Sequence, residues 1–237
     1  MNASWSERLA GIAWPSVIEA LDQQGAAVVK GLLSAEECSD LAALYADSQR
    51  FRSKVVMARH GYGRGEYQYF DYPLPPLVAG LREHAYPALV PLANRWHEAL
   101  GLEARFPETL AAFLTRCHEA GQARPTPLLL RYGAGDYNCL HQDLYGEHVF
   151  PLQLAILLSK PGEDFDGGEL VLTEQRPRMQ SRPMVLTPNQ GDAVVFAVRH
   201  RPVQGTRGFY RVQMRHGVSR ISRGQRCTLG VIFHDAT

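Results

Sequence analysis

The sequence of 237 residues has no apolar run of about 18 residues, the length that a membrane-spanning helix needs. The N-terminus also lacks the continuous apolar stretch of a secretory signal, because Glu7 and Arg8 interrupt it. With 45% hydrophobic and 21% charged residues, the composition is typical of a soluble globular protein. These features predict a cytoplasmic protein without a membrane partner.

Cysteine is scarce, and the four residues present form no CxxC pair. That spacing argues against a disulfide framework and against a zinc knuckle. We expect free, buried thiols in a protein of a reducing compartment. The four positions are Cys38, Cys117, Cys139 and Cys227.

Lysine and acidic residues are rare in the last third of the chain. Residues 171–237 contain eleven arginines, no lysine and three acidic residues, which gives this part a formal charge of +8. The whole chain carries +1, so the first 170 residues carry −7. Such asymmetry indicates either an anionic partner or arginines on the solvent faces of strands, and both interpretations stay open.

The first 125 residues are predicted to be mainly helical. Ser34 and Glu37 fit a capping box, in which each side chain satisfies a free backbone donor at the start of a helix. Pro87 and Pro91 should kink or split the longest helix, because proline lacks the N–H that a helix interior requires. The predicted elements are a strand over 26–30 and helices over 78–99 and 107–120.

After Pro127, short apolar runs are separated by glycine, proline, asparagine and aspartate at regular intervals. Eight such runs predict an antiparallel jelly roll, or double-stranded β-helix. We therefore predict an α+β fold in one structural unit. A helix-rich support and lid region would occupy residues 1–125, and a β-helix catalytic core residues 126–237. The predicted strands are 127–132, 138–143, 151–159, 168–173, 183–187, 191–197, 208–218 and 226–234.

His141 and Asp143 form an HxD pair on a predicted strand. Residues i and i+2 of a strand point to the same face, so the two side chains should converge. A third ligand is needed to hold a metal, and His216 on another predicted strand supplies it, with His200 as its rival. Two histidines and one carboxylate leave the other coordination positions open, which favours a non-haem Fe(II) oxygenase.

Arg226 follows His216 by ten residues, and Thr228 shares its predicted strand face. A guanidinium in a pocket can bind a carboxylate through two parallel hydrogen bonds, and a hydroxyl can add another. The alternative is that Arg226 is an ordinary surface residue of a strand. For Tyr132, which precedes the HxD pair, a place in the sheet core is an equally good interpretation.

An HxD pair, a distal histidine and a basic residue about ten positions later resemble the signature of the 2-oxoglutarate-dependent Fe(II) dioxygenases. The resemblance implies Fe(II), 2-oxoglutarate and O2 as cofactors, with His141, Asp143 and His216 as the metal ligands. It also implies that Arg226 binds the distal carboxylate of 2-oxoglutarate and that Tyr132 lines the same pocket. Segments similar to the prolyl-4-hydroxylase-type core are 131–141, 164–170 and 191–196.

A looser resemblance, over the full length, is to a bacterial oxygenase group labelled as acting on alkylated nucleic acid. That label rests on an analogy with the AlkB-type repair dioxygenases, which share the HQD motif and a tyrosine like Tyr132. The AlkB-type enzymes tend to have an asparagine and a second arginine where this chain has Leu130 and Ile232. These departures favour hydroxylation of a protein side chain or a small metabolite, with release of succinate and CO2. The segments that carry the resemblance are 121–127, 174–180 and 231–236.

Two other functions stay open. One is oxidative demethylation of alkylated nucleic-acid bases, and the other is a non-catalytic jelly roll that holds a metal or an anion. The segment from Arg50 to Tyr72 interleaves basic and aromatic residues. It could bind a phosphate backbone and stack on bases, close over a site as a lid, or form a solvated loop with a hydrophobic anchor.

Overall fold

The structure, a computed structural model, describes residues 5–237. Within these residues the α-helices lie in the N-terminal half of the chain, as predicted: α1 (Trp5–Ala10), α2 (Trp14–Gln24), α3 (Ala35–Ala43), α4 (Pro76–Ala99) and α5 (Leu110–Glu119). Helix α3 begins at the predicted capping box. There the Glu37 N–H donates to Ser34 Oγ (3.2 Å) and the Ser34 N–H donates to Glu37 Oε2 (2.8 Å).

Helix α4 continues through Pro87 and Pro91, so the split that these prolines predict does not occur. A proline inside a helix costs roughly 3 kcal/mol, because one hydrogen bond is lost and the ring clashes with the preceding turn. Ten residues of α4 are buried, among them Leu89 and Trp96. Each large apolar side chain that is buried contributes about 1.5–3 kcal/mol, which offsets the cost of both prolines.

The strands form two antiparallel sheets. In chain order they are β1 (Ala26–Val29), β2 (Phe51–Val56), β3 (Gly63–Arg64), β4 (Glu66–Phe70), β5 (Leu128–Gly133), β6 (Tyr137–His141), β7 (Leu152–Leu157), β8 (Phe165–Gly167), β9 (Leu170–Gln175), β10 (Arg182–Leu186), β11 (Ala193–Ala197), β12 (His200–Gly205), β13 (Gly208–Val218) and β14 (Ile221–Val231). All nine predicted strands are present, the one over 26–30 and the eight after Pro127. The prediction missed β2, β3, β4, β8 and β12.

The eight-stranded sheet has the order β1-β11-β7-β14-β5-β4-β2, with β8 paired to β14. The six-stranded sheet has the order β10-β9-β13-β6-β3, with β12 paired to β13. Neighbours in space are mostly distant in the sequence, as in the predicted jelly roll. Strands from the first 125 residues join both sheets, because β1 pairs with β11, β4 with β5 and β3 with β6.

Most of the segment 50–72 is a β-hairpin rather than a loop, which corrects the sequence interpretation. Strands β2 and β4 pair with each other, and β4 extends the eight-stranded sheet through β5. Basic side chains of this region are paired within the fold. Glu66 binds both Lys54 (2.7 Å) and Arg131 (2.5 Å), and Arg52 donates to the Pro125 carbonyl.

One buried apolar cluster contains side chains from both sheets and from the helices that pack on them. Ile156 and Phe196 of the eight-stranded sheet meet Leu172 and Met214 of the six-stranded sheet in this cluster. Within residues 5–237, no helix combines the length and the hydropathy needed to cross a membrane.

All four cysteines are free, as predicted, and three of them are buried. Cys139 is the exception, because it lies exposed on β6. The prediction of buried thiols was therefore wrong for this residue.

Candidate metal and co-substrate site

His141, Asp143 and His216 come together in one cluster, with ligand atoms that all lie within 4.8 Å of one another. His216 on β13 is paired in register with His141 at the end of β6. The sequence interpretation placed Asp143 on the same strand face as His141. Asp143 instead lies beyond the end of β6, so strand alternation does not determine the direction of its side chain. Antiparallel pairing brings the two imidazoles together, and the chain after β6 turns the carboxylate towards them.

The carboxylate of Asp143 lies between the two imidazoles. His216 Nε2 is 3.2 Å from Asp143 Oδ2, and His141 Nε2 is 3.5 Å from Asp143 Oδ1. Burial raises the pKa of the Asp143 carboxyl, but the hydrogen bond with His141 and the neighbouring His216 outweigh burial and hold that pKa well below its usual range. The carboxyl is therefore ionised at neutral pH, as a metal ligand must be.

Both imidazoles can present Nε2 to a metal. His141 Nδ1 lies 2.8 Å from the Cys139 carbonyl oxygen, which fixes Nδ1–H as the donor and leaves Nε2 free. Burial, together with the nearby His141, lowers the pKa of His216, which favours the neutral form that binds metals. Two imidazole nitrogens and one carboxylate oxygen are the donor set that non-haem Fe(II) takes in oxygenases, so these residues fit that metal.

Two residues that the sequence prediction missed hold the Asp143 carboxylate in place. The Tyr145 hydroxyl donates to Oδ1 (2.7 Å), and the Gln153 amide on β7 donates to Oδ2 (2.8 Å). The Tyr69 hydroxyl on β4 in turn donates to that of Tyr145 (3.0 Å). Tyr145 is two residues after Asp143, and this spacing is a weak indication in the sequence that Tyr145 contributes to the site. The spacing of Gln153 and Tyr69 gives no such indication.

We expect Tyr145→Phe to weaken metal binding, since the carboxylate loses one of the two donors that orient it. Such supporting contacts typically contribute about 10–100-fold to metal affinity. Titration with Mn(II), which resists oxidation, measures the effect. Tyr69→Phe is the matched control, because it removes a phenol hydroxyl from the same chain without touching Asp143. Equal affinities of Tyr145→Phe and the parent would contradict a positioning role for Tyr145.

Arg226 is buried beside the metal-binding cluster, with Thr228 on the same face of β14. Its Nη1 donates to Thr228 Oγ1 (2.6 Å), and its Nε has no hydrogen-bond partner. Tyr132, paired in register with Arg226, is fully buried, and its ring centroid lies 5.8 Å from the guanidinium carbon. Tyr132 is therefore part of the sheet core and also faces Arg226, so both alternatives for this residue apply.

The charge of Arg226 has no carboxylate counterion among the residues that the structure describes. Burial lowers the pKa of the guanidinium, but an arginine remains protonated in a protein. Among residues 5–237 no carboxylate forms an ion pair with it, although the field of Glu169 acts on it from a distance. A buried, unpaired cation is costly, so this position is suited to an anionic ligand.

The glycine turn before β9 packs against the stem of Arg226. Gly168 has a φ of +67°, and a Cβ there would lie 2.8 Å from Arg226 Cδ and 2.3 Å from Ile221 Cδ1. This turn is part of the segment 164–170 that resembles the prolyl-4-hydroxylase-type core. Only glycine allows both the left-handed backbone and the close approach.

One cavity of about 300 Å³ contains the metal-binding cluster together with Arg226 and Thr228. Its walls away from these residues are mainly apolar and aromatic, and Tyr62, Tyr67 and Tyr145 line it. Leu130 and Ile232, at the two positions that depart from the AlkB-type pattern, also line it. The cavity therefore offers a substrate a mainly aromatic and apolar surface, with side-chain amides at Asn138 and Gln142.

The other histidines lie outside the cluster. His200 begins β12 and is paired with Gln213, so it lies outside the cluster that His141, Asp143 and His216 form. His234 is fully buried near Tyr145 and accepts a hydrogen bond from the Phe150 N–H through Nδ1 (3.2 Å).

Several arginines of the last third are paired within the fold. Glu174 binds Arg201, Arg176 and Arg182, and Asp166 binds Arg223 (2.6 Å). Part of the predicted positive charge is therefore neutralised. Other arginines stay exposed without a partner among residues 5–237.

A family model described as "oxygenase, catalysing oxidative methylation of damaged DNA" matches residues 65–236. Two uncharacterised proteins of Mycobacterium tuberculosis, from strains CDC 1551 / Oshkosh and ATCC 25618 / H37Rv, are each 50% identical to this chain over 167 residues. That alignment covers 70% of this chain and 72% of each relative.

Solved structures share the fold at low sequence identity. A prolyl-4-hydroxylase of Pseudomonas putida aligns with a TM-score of 0.53 and 17% identity, over 94% of this chain and 99% of that one. An oxidoreductase of the 2OG-Fe(II) oxygenase family from Burkholderia pseudomallei aligns with a TM-score of 0.56 and 16% identity, over 96% and 94% of the two chains. These alignments confirm the predicted double-stranded β-helix.

Proposed function

The chain belongs to the oxygenase family whose model matches residues 65–236, and from this premise we propose that it is a dioxygenase with iron bound by His141, Asp143 and His216. The predicted enzyme class is confirmed by the family. The predicted cofactors Fe(II), 2-oxoglutarate and O2 agree with the family, the fold and the ligand cluster. The roles of individual residues are part of the proposal.

The observation that carries the proposal is one cavity with two complementary features. A cluster of three ligands leaves coordination positions open, and an unpaired buried arginine lies in the same cavity. 2-Oxoglutarate needs both, because its 2-oxo acid end chelates a metal while its far carboxylate requires a cation. A protein that only binds a metal or only binds an anion has no use for the pair.

Bound Fe(II) would supply the activation of O2 coupled to decarboxylation of 2-oxoglutarate to succinate and CO2. The chain's own residues hold and orient the reactants. Arg226 and Thr228 bind the far carboxylate, and burial of Arg226 strengthens that interaction by excluding water. Tyr145 and Gln153 keep the Asp143 carboxylate fixed, and the apolar walls orient the substrate C–H bond and keep water away.

The first candidate substrate is a protein side chain or a small metabolite that is hydroxylated at a C–H bond. Leu130 and Ile232 support it, because they line the cavity at the two positions where the AlkB-type enzymes tend to have an asparagine and a second arginine. The inward position of Tyr62 and Tyr67 is also what a lid over a small group requires.

The second candidate is oxidative demethylation of an alkylated base. The description of the family supports it, because that description names damaged DNA. An aromatic cavity suits a flipped base, which can stack between such side chains. The exposed, unpaired arginines of the last third favour the same candidate.

Succinate release in the presence of Fe(II), 2-oxoglutarate and O2 tests the proposal. We expect slow release without a primary substrate, and release stimulated by methylated single-stranded oligonucleotides if the second candidate is correct. Unmethylated oligonucleotides of the same sequence are the control. Absence of both 2-oxoglutarate binding and succinate formation in the Fe(II)-loaded protein would refute the dioxygenase and leave the non-catalytic jelly roll.

A cytoplasmic location is also proposed rather than established. Its support is the state of the cysteines, which are all free, as a reducing compartment maintains them.

A further inference from the structure

The outward face of the six-stranded sheet carries arginines that the fold does not neutralise. On β13 the side chains alternate, so that Val212, Met214 and His216 are buried while Arg211 and Arg215 are exposed. Arg199, just before β12, is exposed as well. We call Arg199, Arg211 and Arg215, with His200 and Gln213 between them, the basic face.

The pairing of strands places His200 beside β13, and Arg199 precedes His200 in the chain. Gln213 is opposite His200 on β12, and on β13 it lies between Arg211 and Arg215. Burial and the charges of Arg199 and Arg211 lower the pKa of His200 to about 4. His200 therefore stays neutral and can donate a hydrogen bond.

Acidic residues are missing from the outward positions of the neighbouring strands. Thr173 is opposite Arg215 on β9, and Pro183 is opposite Thr173 on β10. The nearby Glu174 points inward, where it is buried against Arg201. Among residues 5–237, none of the three arginines of the basic face forms an ion pair.

We propose that the basic face binds the phosphate backbone of a single nucleic-acid strand. Arg211 and Arg215 are four residues apart on one strand, which separates them by about 13 Å along a flat surface and matches an extended row of phosphates better than a compact anion. Gln213 and Thr173 add neutral donors, and Phe209, 54% exposed at the end of β13, can stack on a base.

The basic face and the candidate site share the same strand. Arg215 points outward and the next residue, His216, points into the cavity. Gln142, between His141 and Asp143, donates to the Met214 carbonyl oxygen (2.7 Å) and so ties the ligand segment to β13. A nucleic-acid strand held on the basic face would lie across the six-stranded sheet from the cavity; the inference deepens the second candidate substrate and rests on the proposed function for the reaction itself.

Binding of a fluorescent oligo-deoxythymidine of about twenty nucleotides, without metal, tests the inference across a series of salt concentrations. The variant Arg211→Gln/Arg215→Gln should bind at least about tenfold more weakly at about 0.1 M salt, with a shallower salt dependence, because each lost phosphate contact removes about 0.7 from the slope. Lys30→Gln/Lys160→Gln removes the same charge from exposed sites outside the basic face and should bind like the parent.

Three results would overturn the inference: no binding by the parent, equal losses in both double variants, or equally tight binding of polyglutamate at the basic face. Succinate release without a primary substrate separates this inference from the proposed function. We expect it to be unchanged in Arg211→Gln/Arg215→Gln, since neither residue lines the cavity. If the parent releases succinate but fails to bind the oligonucleotide, only the basic face is refuted.

Discussion

In His216→Ala, turnover of 2-oxoglutarate with Fe(II) should fall to the background without enzyme. His216 supplies one of three ligands, and a metal held by His141 and Asp143 alone would dissociate readily. His141→Ala and Asp143→Ala should have the same effect. Mn(II) titration is a second readout independent of turnover, and each variant should lose most of its affinity for the metal.

His200→Ala is the matched control for the ligand assignment. It removes an imidazole that lies only partly buried on β12, outside the cluster. We expect parental Mn(II) affinity and parental succinate release from this variant. If His200→Ala loses both while His216→Ala keeps them, the assignment of the third ligand is wrong.

The spacing of residues in the sequence predicted which side chains would lie together in the candidate site. His141, Asp143, His216, Arg226 and Tyr132 all lie in or beside the cavity that the structure contains. Strand alternation is a local pattern and directs Arg226 and Thr228 to one face, whereas the antiparallel pairing of β6 with β13, a long-range contact, brings the two histidines together.

Residues that act through long-range contacts could not be predicted. Tyr69 and Gln153 lie on β4 and β7, and only the folded sheet brings the Gln153 amide to Asp143 and the Tyr69 hydroxyl to Tyr145, which donates to Asp143. The hairpin of β2 and β4 was missed for a related reason. Its short, polar strands are stabilised because β4 pairs with β5, and a propensity read along the chain does not include that pairing.

The sequence shows how much positive charge the last third of the chain carries, but it does not show which of these arginines are exposed. Arg201, Arg176 and Arg182 gather around Glu174, whereas Arg211 and Arg215 stay exposed on one face. Arg211 and Arg215 match one of the two interpretations that the sequence left open, arginines on the solvent face of a strand, and the other, an anionic partner, stays a prediction. The pairing of β9 with β13 determines which residues of β13 lie on the buried face with Glu174 and which point to solvent.

Removal of the Arg226 guanidinium should abolish tight binding of 2-oxoglutarate. The guanidinium is buried, lacks an ion-pair partner among residues 5–237 and leaves Nε without a hydrogen bond, so it is available to a ligand carboxylate. Losing a buried, charged hydrogen-bonding partner costs roughly 2–5 kcal/mol, which corresponds to at least about a tenfold loss of affinity.

Calorimetric titration of 2-oxoglutarate into the Mn(II)-loaded Arg226→Ala and Arg226→Met variants measures this loss. Methionine keeps an apolar stem beside Gly168, so a defect shared by both variants reflects the charge and not the packing. Arg223→Ala, an exposed arginine on the same strand that binds Asp166, is the matched control and should bind 2-oxoglutarate like the parent. Because an unpaired buried cation destabilises a fold, the free energy of unfolding of Arg226→Met without ligand should not fall below that of the parent. Parental affinity in a folded Arg226→Met would show that the far carboxylate of 2-oxoglutarate binds elsewhere.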